Sequence, residues 1–148
     1  MPLLTTNKKV FYDYEILEKF EAGISLIGQE VKSIKLGRIS LKGAYVVVKN
    51  EEVFLIGCYI PPYQPKNAPQ NYQPERSRKL LLKKSEIKGL IGKTKLKGLT
   101  LVPLRVYTKA GRIKIEIGLG RGKKKKDKRE NIKKREIEIE IKRALKTH

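Results

Sequence analysis

The sequence LTLVPLRVYTKAGRIKIEIGL, residues 99 to 119, decides the fold class. In its second half, isoleucine or leucine stands at positions 113, 115, 117 and 119. A period of two is typical of a β-strand that buries one face. The first half, Leu99 to Tyr107, is also largely apolar, and Ala110-Gly111 between the halves suits a turn. We therefore predict two neighbouring antiparallel strands.

A second period of two runs from Tyr12 to Leu26, with mainly apolar residues at the even positions. It predicts one long strand, or a strand pair bent near Ala22-Gly23, and Glu18 is the exception to the inward phase. From Ile27 onward the apolar residues recur at i, i+4 and i+7. This spacing predicts a short amphipathic helix that ends by Gly37.

The middle of the chain adds a hairpin, a loop and a second helix. The runs Tyr45 to Val48 and Val53 to Ile60 are β-branched and aromatic, and they flank a polar turn. Cys58 lies in the second run, so it is expected to be a small buried hydrophobe. The proline-rich segment from Pro61 to Arg78 predicts a long surface loop. Ser85 is a plausible N-cap for the helix that follows.

Together these elements predict a mainly β fold. About five or six short antiparallel strands with two flanking short helices suit a small barrel of the OB type over residues 1–120. Beyond residue 120 the run GRGKKKKDKR cannot bury a core, so residues 121–148 are predicted to be a basic tail that is disordered in isolation.

The end of this tail is open to two interpretations. Ile137, Ile139 and Ile141 alternate with glutamates, as in a strand. In a helix, Ile137, Ile141 and Leu145 would align instead. We favour a tail that is disordered alone and becomes helical when it is docked on RNA.

The charge balance indicates a polyanionic partner. The chain has 35 Lys+Arg against 15 Asp+Glu, a net charge of +20. Self-repulsion of this size opposes folding, whereas phosphates neutralised by Lys and Arg release counterions. No apolar stretch is long enough to predict a membrane span or a signal peptide, and a single cysteine suits a reducing compartment, so we expect a cytoplasmic location.

Catalysis has little support in the sequence. The single histidine is His148, the last residue, and Cys58 has no histidine partner in the folded part. Asp13, Glu15, Glu18 and Glu21 could form the metal site of a nuclease, but most of them lie on the polar face of a strand. We expect no catalytic residue, metal or cofactor. Besides the nuclease, a ribosomal structural protein is an alternative to a non-catalytic RNA-binding protein.

The string Gly118 to Lys123 lacks the spacing of a phosphate loop and is interpreted as a flexible cationic joint.

Two groups of residues point to RNA. One group is cationic and the other consists of tyrosines that could stack on unpaired bases. The cations are Lys8, Lys9, Arg76, Arg78, Lys79, Lys83, Lys84 and the run Arg121 to Arg129. The tyrosines are Tyr12, Tyr14, Tyr59, Tyr63 and Tyr72, of which Tyr63 and Tyr72 are expected to be freest.

A series of motifs resembles SmpB, the small protein B family that binds bacterial transfer-messenger RNA (tmRNA, also called SsrA). The motifs are NKK at 7–9, DYEILE at 13–18, FEAGI at 20–24, GQEVKS at 28–33, RKLLL at 78–82, KGLTLVPL at 97–104, and RGKK with DKR within 121–129.

This resemblance implies that the barrel binds the tRNA-like domain of tmRNA near its elbow. We expect the carboxylate of Glu30 to accept hydrogen bonds from base amines. The residues at the family's contact positions are Asn7, Glu30, Leu81 and Lys83, with Gly122, Lys123 and Lys124 at the edge of that surface. The further expected RNA contacts are Lys8, Lys32, Arg78 and Lys79.

The resemblance also implies that the tail lies along the empty messenger channel of a stalled ribosome. The matching residues are Asp127, Lys128, Arg129, Lys133 and Arg135. Two positions depart from the family pattern: Ile137, where tryptophan is common, and the distal pair Ala144-Leu145. The expected protein is a non-catalytic, monomeric adaptor that delivers tmRNA to stalled ribosomes for trans-translation.

Overall fold

The computed structural model describes residues 3–64, 66, 70–96 and 98–123. Seven strands and three helices occur in this part of the chain, where the sequence predicted about five or six strands and two helices. In chain order they are β1 (Leu3–Thr6), α1 (Lys8–Asp13), β2 (Tyr14–Ile24), α2 (Gly28–Lys35), β3 (Tyr45–Lys49), β4 (Glu52–Ile56), β5 (Arg78–Leu81), α3 (Lys84–Thr94), β6 (Leu99–Lys109) and β7 (Arg112–Gly122).

The strands form a single antiparallel sheet in the order β1-β6-β7-β2-β5-β4-β3. The mainly β fold with short helices is therefore confirmed. The sheet is not closed, however, because the end strands β1 and β3 have no ladder between them in the described residues. β3 curls round to lie beside β6 without pairing with it, so the expected closed barrel is replaced by a strongly curved open sheet.

A β-bulge at Leu17 divides β2 into halves that face opposite sides of the sheet. Ile16 pairs with Gly120 and Glu18 with Leu119, which leaves Leu17 as an extra residue. One extra residue changes the phase of the alternation. The apolar even positions before the bulge therefore pack outside, and those from Phe20 onward face the main core.

Glu18, the charged exception among the apolar even positions, directly follows the bulge. This residue lies opposite Leu119, in the inward phase, but at the rim of the sheet. Its carboxylate is 44% exposed and meets Nζ of Lys93 at 2.5 Å. The expected strand from Tyr12 is shorter than predicted, because Tyr12 belongs to α1.

Two apolar clusters hold the structure together. The main core lies on the concave side of the sheet and includes Ile34 of α2 and Leu90 of α3. A second cluster, on the opposite face, is formed where α1 packs on the sheet. It contains Val10, Val102 and Leu104, with Phe11, Tyr14 and Ile16 against it.

Gly118 and Gly120 lie in β7, so the expectation of a flexible joint over Gly118 to Lys123 is wrong. Both residues are buried against the second cluster. A Cβ atom at Gly118 would lie 3.0 Å from Cδ1 of Leu104 and 3.1 Å from Cγ2 of Ile16. Glycine is required here because the neighbouring side chains leave no room, not because the chain must bend.

Gly118→Val is expected to lower the free energy of unfolding by about 1–3 kcal/mol, the usual cost of overpacking. Urea denaturation followed by circular dichroism measures it. Gly122→Val is the matched control, since a Cβ at Gly122 meets nothing within 4 Å. Equal losses in the two variants would contradict the packing argument.

The smaller elements follow local rules. The β3–β4 hairpin turns at Asn50 and Glu51, whose positive φ angles of 52° and 61° suit a two-residue turn. α2 covers the predicted region, and Gly37 follows it with a φ of 77°. Ser85 is not the N-cap of α3, because the helix begins one residue earlier and the Lys83 N–H donates to Glu86 Oε1 at 3.2 Å.

Cys58 is fully buried, as predicted. Burial raises the pKa of its thiol to about 11. The thiol is therefore protonated and unreactive at neutral pH. In the described part of the chain, no helix combines the length and the apolar character that a membrane crossing requires.

Candidate nucleic-acid interface

Six of the residues expected to contact RNA lie on the surface. They are Lys8, Lys32, Lys79, Leu81, Lys83 and Gly122. Nζ of Lys32 lies 5.6 Å from the centre of the Tyr63 ring, and Nζ of Lys79 lies 3.6 Å from Glu52. Leu81 is 54% exposed, which is unusual for a leucine in a strand that helps to form the core. Their roles in RNA binding stay predictions.

Glu30, in contrast, is completely buried. Its carboxylate accepts hydrogen bonds from Arg78 Nη2 at 2.6 Å and Arg76 Nη2 at 2.5 Å, and the Tyr72 hydroxyl oxygen lies 3.3 Å from Oε2. It also accepts the Ile27 N–H at 3.0 Å, and so caps α2. One carboxylate thereby ties the start of α2 to β5 and to the loop before it.

Burial and pairing act in opposite directions on Glu30. Burial alone raises its pKa, but the hydrogen bonds from Arg76, the Ile27 N–H and Arg78 outweigh it, so the pKa is lowered overall. The carboxylate is thus ionised at neutral pH. The expected hydrogen bonds from base amines to the Glu30 carboxylate have no support in this position, because protein donors already occupy its oxygens and no solvent reaches them.

Arg78, another residue expected to contact RNA, also lies in the interior. It is fully buried, and its guanidinium donates to Glu30 and to the carbonyls of Cys58 at 2.7 Å, Pro74 at 2.9 Å and Arg76 at 3.1 Å. An arginine with these partners holds the loop to the sheet. It has no surface to offer to a phosphate.

Asn7 also serves the fold. It is only 9% exposed, its Nδ2 donates to the Pro103 carbonyl at 3.3 Å, and its N–H donates to the Leu104 carbonyl at 2.8 Å. These bonds fix the start of α1 on β6. A direct contact between Asn7 and RNA is not supported by this position.

Lys123 fastens the end of β7 to α1. Its N–H donates to the Asp13 carbonyl at 2.8 Å, and its Nζ donates to the Phe11 carbonyl at 3.2 Å. Carbonyls at a helix end lack partners within the helix, so a lysine there satisfies them. Gly122, just before it, is exposed. Lys123 therefore lies beside the last turn of α1.

A groove beside Leu81 was missed by the sequence reasoning. It has a volume of about 350 Å³ and brings together β2, α2, β5 and the β6–β7 turn. Leu81, Leu26 and Val31 contribute its apolar wall, and Arg112 and Lys114 contribute two cations. We call it the cationic groove. An apolar wall next to cations suits the bases and phosphates of a nucleic acid.

Glu21 lies on β2, two residues before Gly23 of the groove lining. The Tyr107 hydroxyl donates to Glu21 Oε2 at 2.5 Å, and Nζ of Lys109 lies 3.2 Å from Oε1. The Tyr107 hydrogen bond, with help from Lys109 and Lys114, lowers the pKa of Glu21. Burial and this carboxylate together raise the pKa of Tyr107.

The acids considered as a metal site do not come together. Among the described residues, no group of three or more His, Cys, Asp or Glu side chains could hold a metal ion. Glu18 pairs with Lys93, and Glu21 pairs with Tyr107 and Lys109. The two acids lie at separate points along β2, and their partners lie on α3 and β6.

Tyr63 and Tyr72, the tyrosines expected to be freest for stacking on bases, both contact other parts of the protein. The Tyr72 hydroxyl donates to the Ile60 carbonyl at 2.7 Å, so this residue anchors its loop and is not free. Tyr14 packs on the second cluster, Tyr63 is half-buried under Lys32, and Tyr59 is 43% exposed. The remaining predicted contacts fall outside the described residues. They are Lys124, Asp127, Lys128, Arg129, Lys133, Arg135, Ile137 and Leu145.

The curved antiparallel sheet, the exposed cations and the groove define a small basic β protein with a surface suited to a polyanion. The family model described as SmpB protein matches residues 4–147. The chain belongs to the SmpB protein family.

Individual relatives agree with this assignment. The SsrA-binding protein of Sulfurihydrogenibium sp. (strain YO3AOP1) is 54% identical over 114 residues, covering 77% of this chain and 74% of the relative. That of Thiobacillus denitrificans is 55% identical over 113 residues, or 76% of each chain. A solved chain described as "tmRNA-SmpB: a journey to the center of the bacterial ribosome" is 43% identical with a TM-score of 0.68, covering 89% of this chain and 95% of that one.

Proposed function

We propose that this protein binds tmRNA (SsrA) and delivers it to stalled ribosomes in trans-translation. The relatives are SsrA-binding proteins, and the solved neighbour is described by tmRNA, SmpB and the ribosome together. The protein acts as an adaptor that recognises RNA by shape and charge, and it performs no chemical step itself. We place it in the cytoplasm, because its RNA and the ribosome are found there, and we propose that it acts as a monomer.

The observation that carries the binding mode is the cationic groove. Leu81, a residue matched to a family contact, is exposed in the groove wall. Arg112 and Lys114 line the same groove. Glu30 and Arg78 support this surface from within the fold, because their ion pair joins α2 to β5. We assign the tRNA-like domain of tmRNA to the groove, and residues 124–148 to the ribosome.

Replacing Arg112 and Lys114 with alanine is expected to weaken tmRNA binding while leaving the fold intact, since both residues border the groove on a surface turn and strand. Each phosphate contact that is lost should reduce the slope of log K against log salt by about 1. Filter binding of the tRNA-like domain at several salt concentrations measures both quantities.

Lys42→Ala is the control, because Lys42 is an exposed lysine that does not line the groove. It should leave the affinity and the salt slope close to those of the unaltered protein. An equal effect of Lys42→Ala would mean that overall charge, and not the groove, governs binding. A flat salt response of the unaltered protein would exclude the electrostatic mechanism.

A further inference from the structure

A cleft beside the start of α2 has the chemistry of a nucleobase site. It has a volume of about 330 Å³ and is lined by Ile27, Asn71, Tyr72, Gln73 and Arg76. We propose that it takes one unpaired nucleobase of the bound RNA, stacked on the Arg76 guanidinium. The inference rests on the proposed function, because it assumes that the partner is an RNA.

The Arg76 guanidinium is held by its edges. Nε donates to Glu30 Oε2 at 3.2 Å and Nη2 to Glu30 Oε1 at 2.5 Å, while Nη2 also reaches the Ser25 carbonyl at 3.3 Å. Nη1 donates to the Ser77 carbonyl at 3.4 Å. Because these bonds lie in the guanidinium plane, the flat face is what a ligand can use, and the side chain is 30% exposed. Guanidinium planes stack on unpaired bases.

The other walls of the cleft suit the same ligand. Ile27 is 44% exposed and supplies an apolar surface. Tyr72 is held in place by its hydroxyl, and Asn71 and Gln73 on either side of it are exposed. Side-chain amides can donate to and accept from the edge of a base. Since Glu30 fixes the arginine and Tyr72 is anchored, little side-chain freedom would be lost on binding.

The base cleft adjoins the cationic groove. Ile27 follows Leu26, which lines the groove, and Arg76 is bonded to the carbonyl of Ser25 just before it. One RNA can therefore place phosphates near Lys114 and turn a neighbouring base into the cleft. Glu30 then acts as a positioning residue that orients the stacking surface without touching the RNA.

Arg76→Lys tests this inference, because lysine keeps the charge and can still pair with Glu30 but has no flat face. Binding of the tRNA-like domain of tmRNA should weaken by about 5- to 150-fold, the range for loss of one stacked base. The salt slope should not change, since no charge is lost. Arg38→Lys, at another arginine near the surface, should change affinity by no more than about twofold.

Chemical probing of the RNA separates stacking from a general structural effect. Arg76→Lys should expose one unpaired nucleotide that the unaltered protein protects, and leave the other protections in place. Ile27→Ala, on the facing wall, should expose the same nucleotide without altering the Glu30 ion pairs. Unchanged affinity of Arg76→Lys, or an equal loss of all protections, would refute the inference while the proposed function stands. If the unaltered protein fails to bind tmRNA, the proposed function fails and this inference with it.

Discussion

Glu30→Gln is expected to lower the free energy of unfolding by about 3–5 kcal/mol, because it leaves a buried arginine without its counter-charge. Arg78 is as fully buried as Glu30, so water cannot replace the lost carboxylate. The substitution also weakens the cap on the Ile27 N–H and the tie to Arg76. Urea denaturation followed by circular dichroism gives the change directly.

The same carboxylate makes stability depend on pH. Because the folded-state pKa of Glu30 is lowered, the folded protein binds a proton less readily than the unfolded chain. The stabilisation is therefore complete above the ordinary carboxyl pKa of about 4.3 and is lost as the pH falls through the lower folded value. The free energy of unfolding of Glu30→Gln should vary less over this acidic range than that of the unaltered protein.

Glu18→Gln is the matched control. The Glu18–Lys93 pair is 44% and 39% exposed, and exposed pairs contribute about 0–1 kcal/mol. If Glu18→Gln and Glu30→Gln destabilised the protein equally, burial would not be the cause. A Glu30→Gln variant of normal stability would show that Arg78 finds another partner.

Glu30 also shows which contacts cannot be predicted from the sequence. The residue was found by its motif, but it was expected to face the RNA. Its partners Arg76 and Arg78 are 46 and 48 residues away along the chain, and they were assigned to the RNA as well. Periodicity and charge show which residues matter within one element. They do not show that three charged side chains from different elements meet in the interior.

The strands were more predictable, because alternation is a local property. Residues 112 to 119 form a strand as expected, and the apolar positions face the main core. The bulge at Leu17 left no such signal, since the even positions remain apolar on both sides of it. The need for glycine at positions 118 and 120 was equally hidden, because it depends on Ile16 and Leu104 from other strands.

The cationic groove depends on strand order. Arg112 and Lys114 lie in a segment that the sequence predicts as a strand, and the sequence alone gives them no role in binding. Their position near Leu81 arises because β2 lies between β7 and β5, with Gly23 paired to both Lys114 and Leu81. This neighbourhood is a property of the assembled sheet, and no spacing in the sequence indicates it.

Deletion of residues 124–148 is expected to abolish peptide tagging on stalled ribosomes and to keep most of the tmRNA affinity. The deleted segment has eleven Lys+Arg and five Asp+Glu, so the remaining chain keeps +14 of the net +20. The cut follows Lys123 because β7 extends to Gly122 and Lys123 bonds to α1. A cut after Leu119 would remove the pairing of Gly120 with Ile16 and damage the fold itself. Tagging in a reconstituted translation system and filter binding of tmRNA measure the two outcomes.

A tail of scrambled order distinguishes a specific role from simple attraction to ribosomal RNA. Scrambling residues 124–148 keeps their net charge of +6 but disrupts the DKR motif at 127–129 and the spacing of Lys133 and Arg135. If the tail only neutralises phosphates, the scrambled protein should tag as well as the natural one. We expect it to bind tmRNA normally and to tag poorly, because a channel of defined shape selects the order of side chains. Tagging that survives the deletion would instead assign ribosome recognition to the sheet and its grooves.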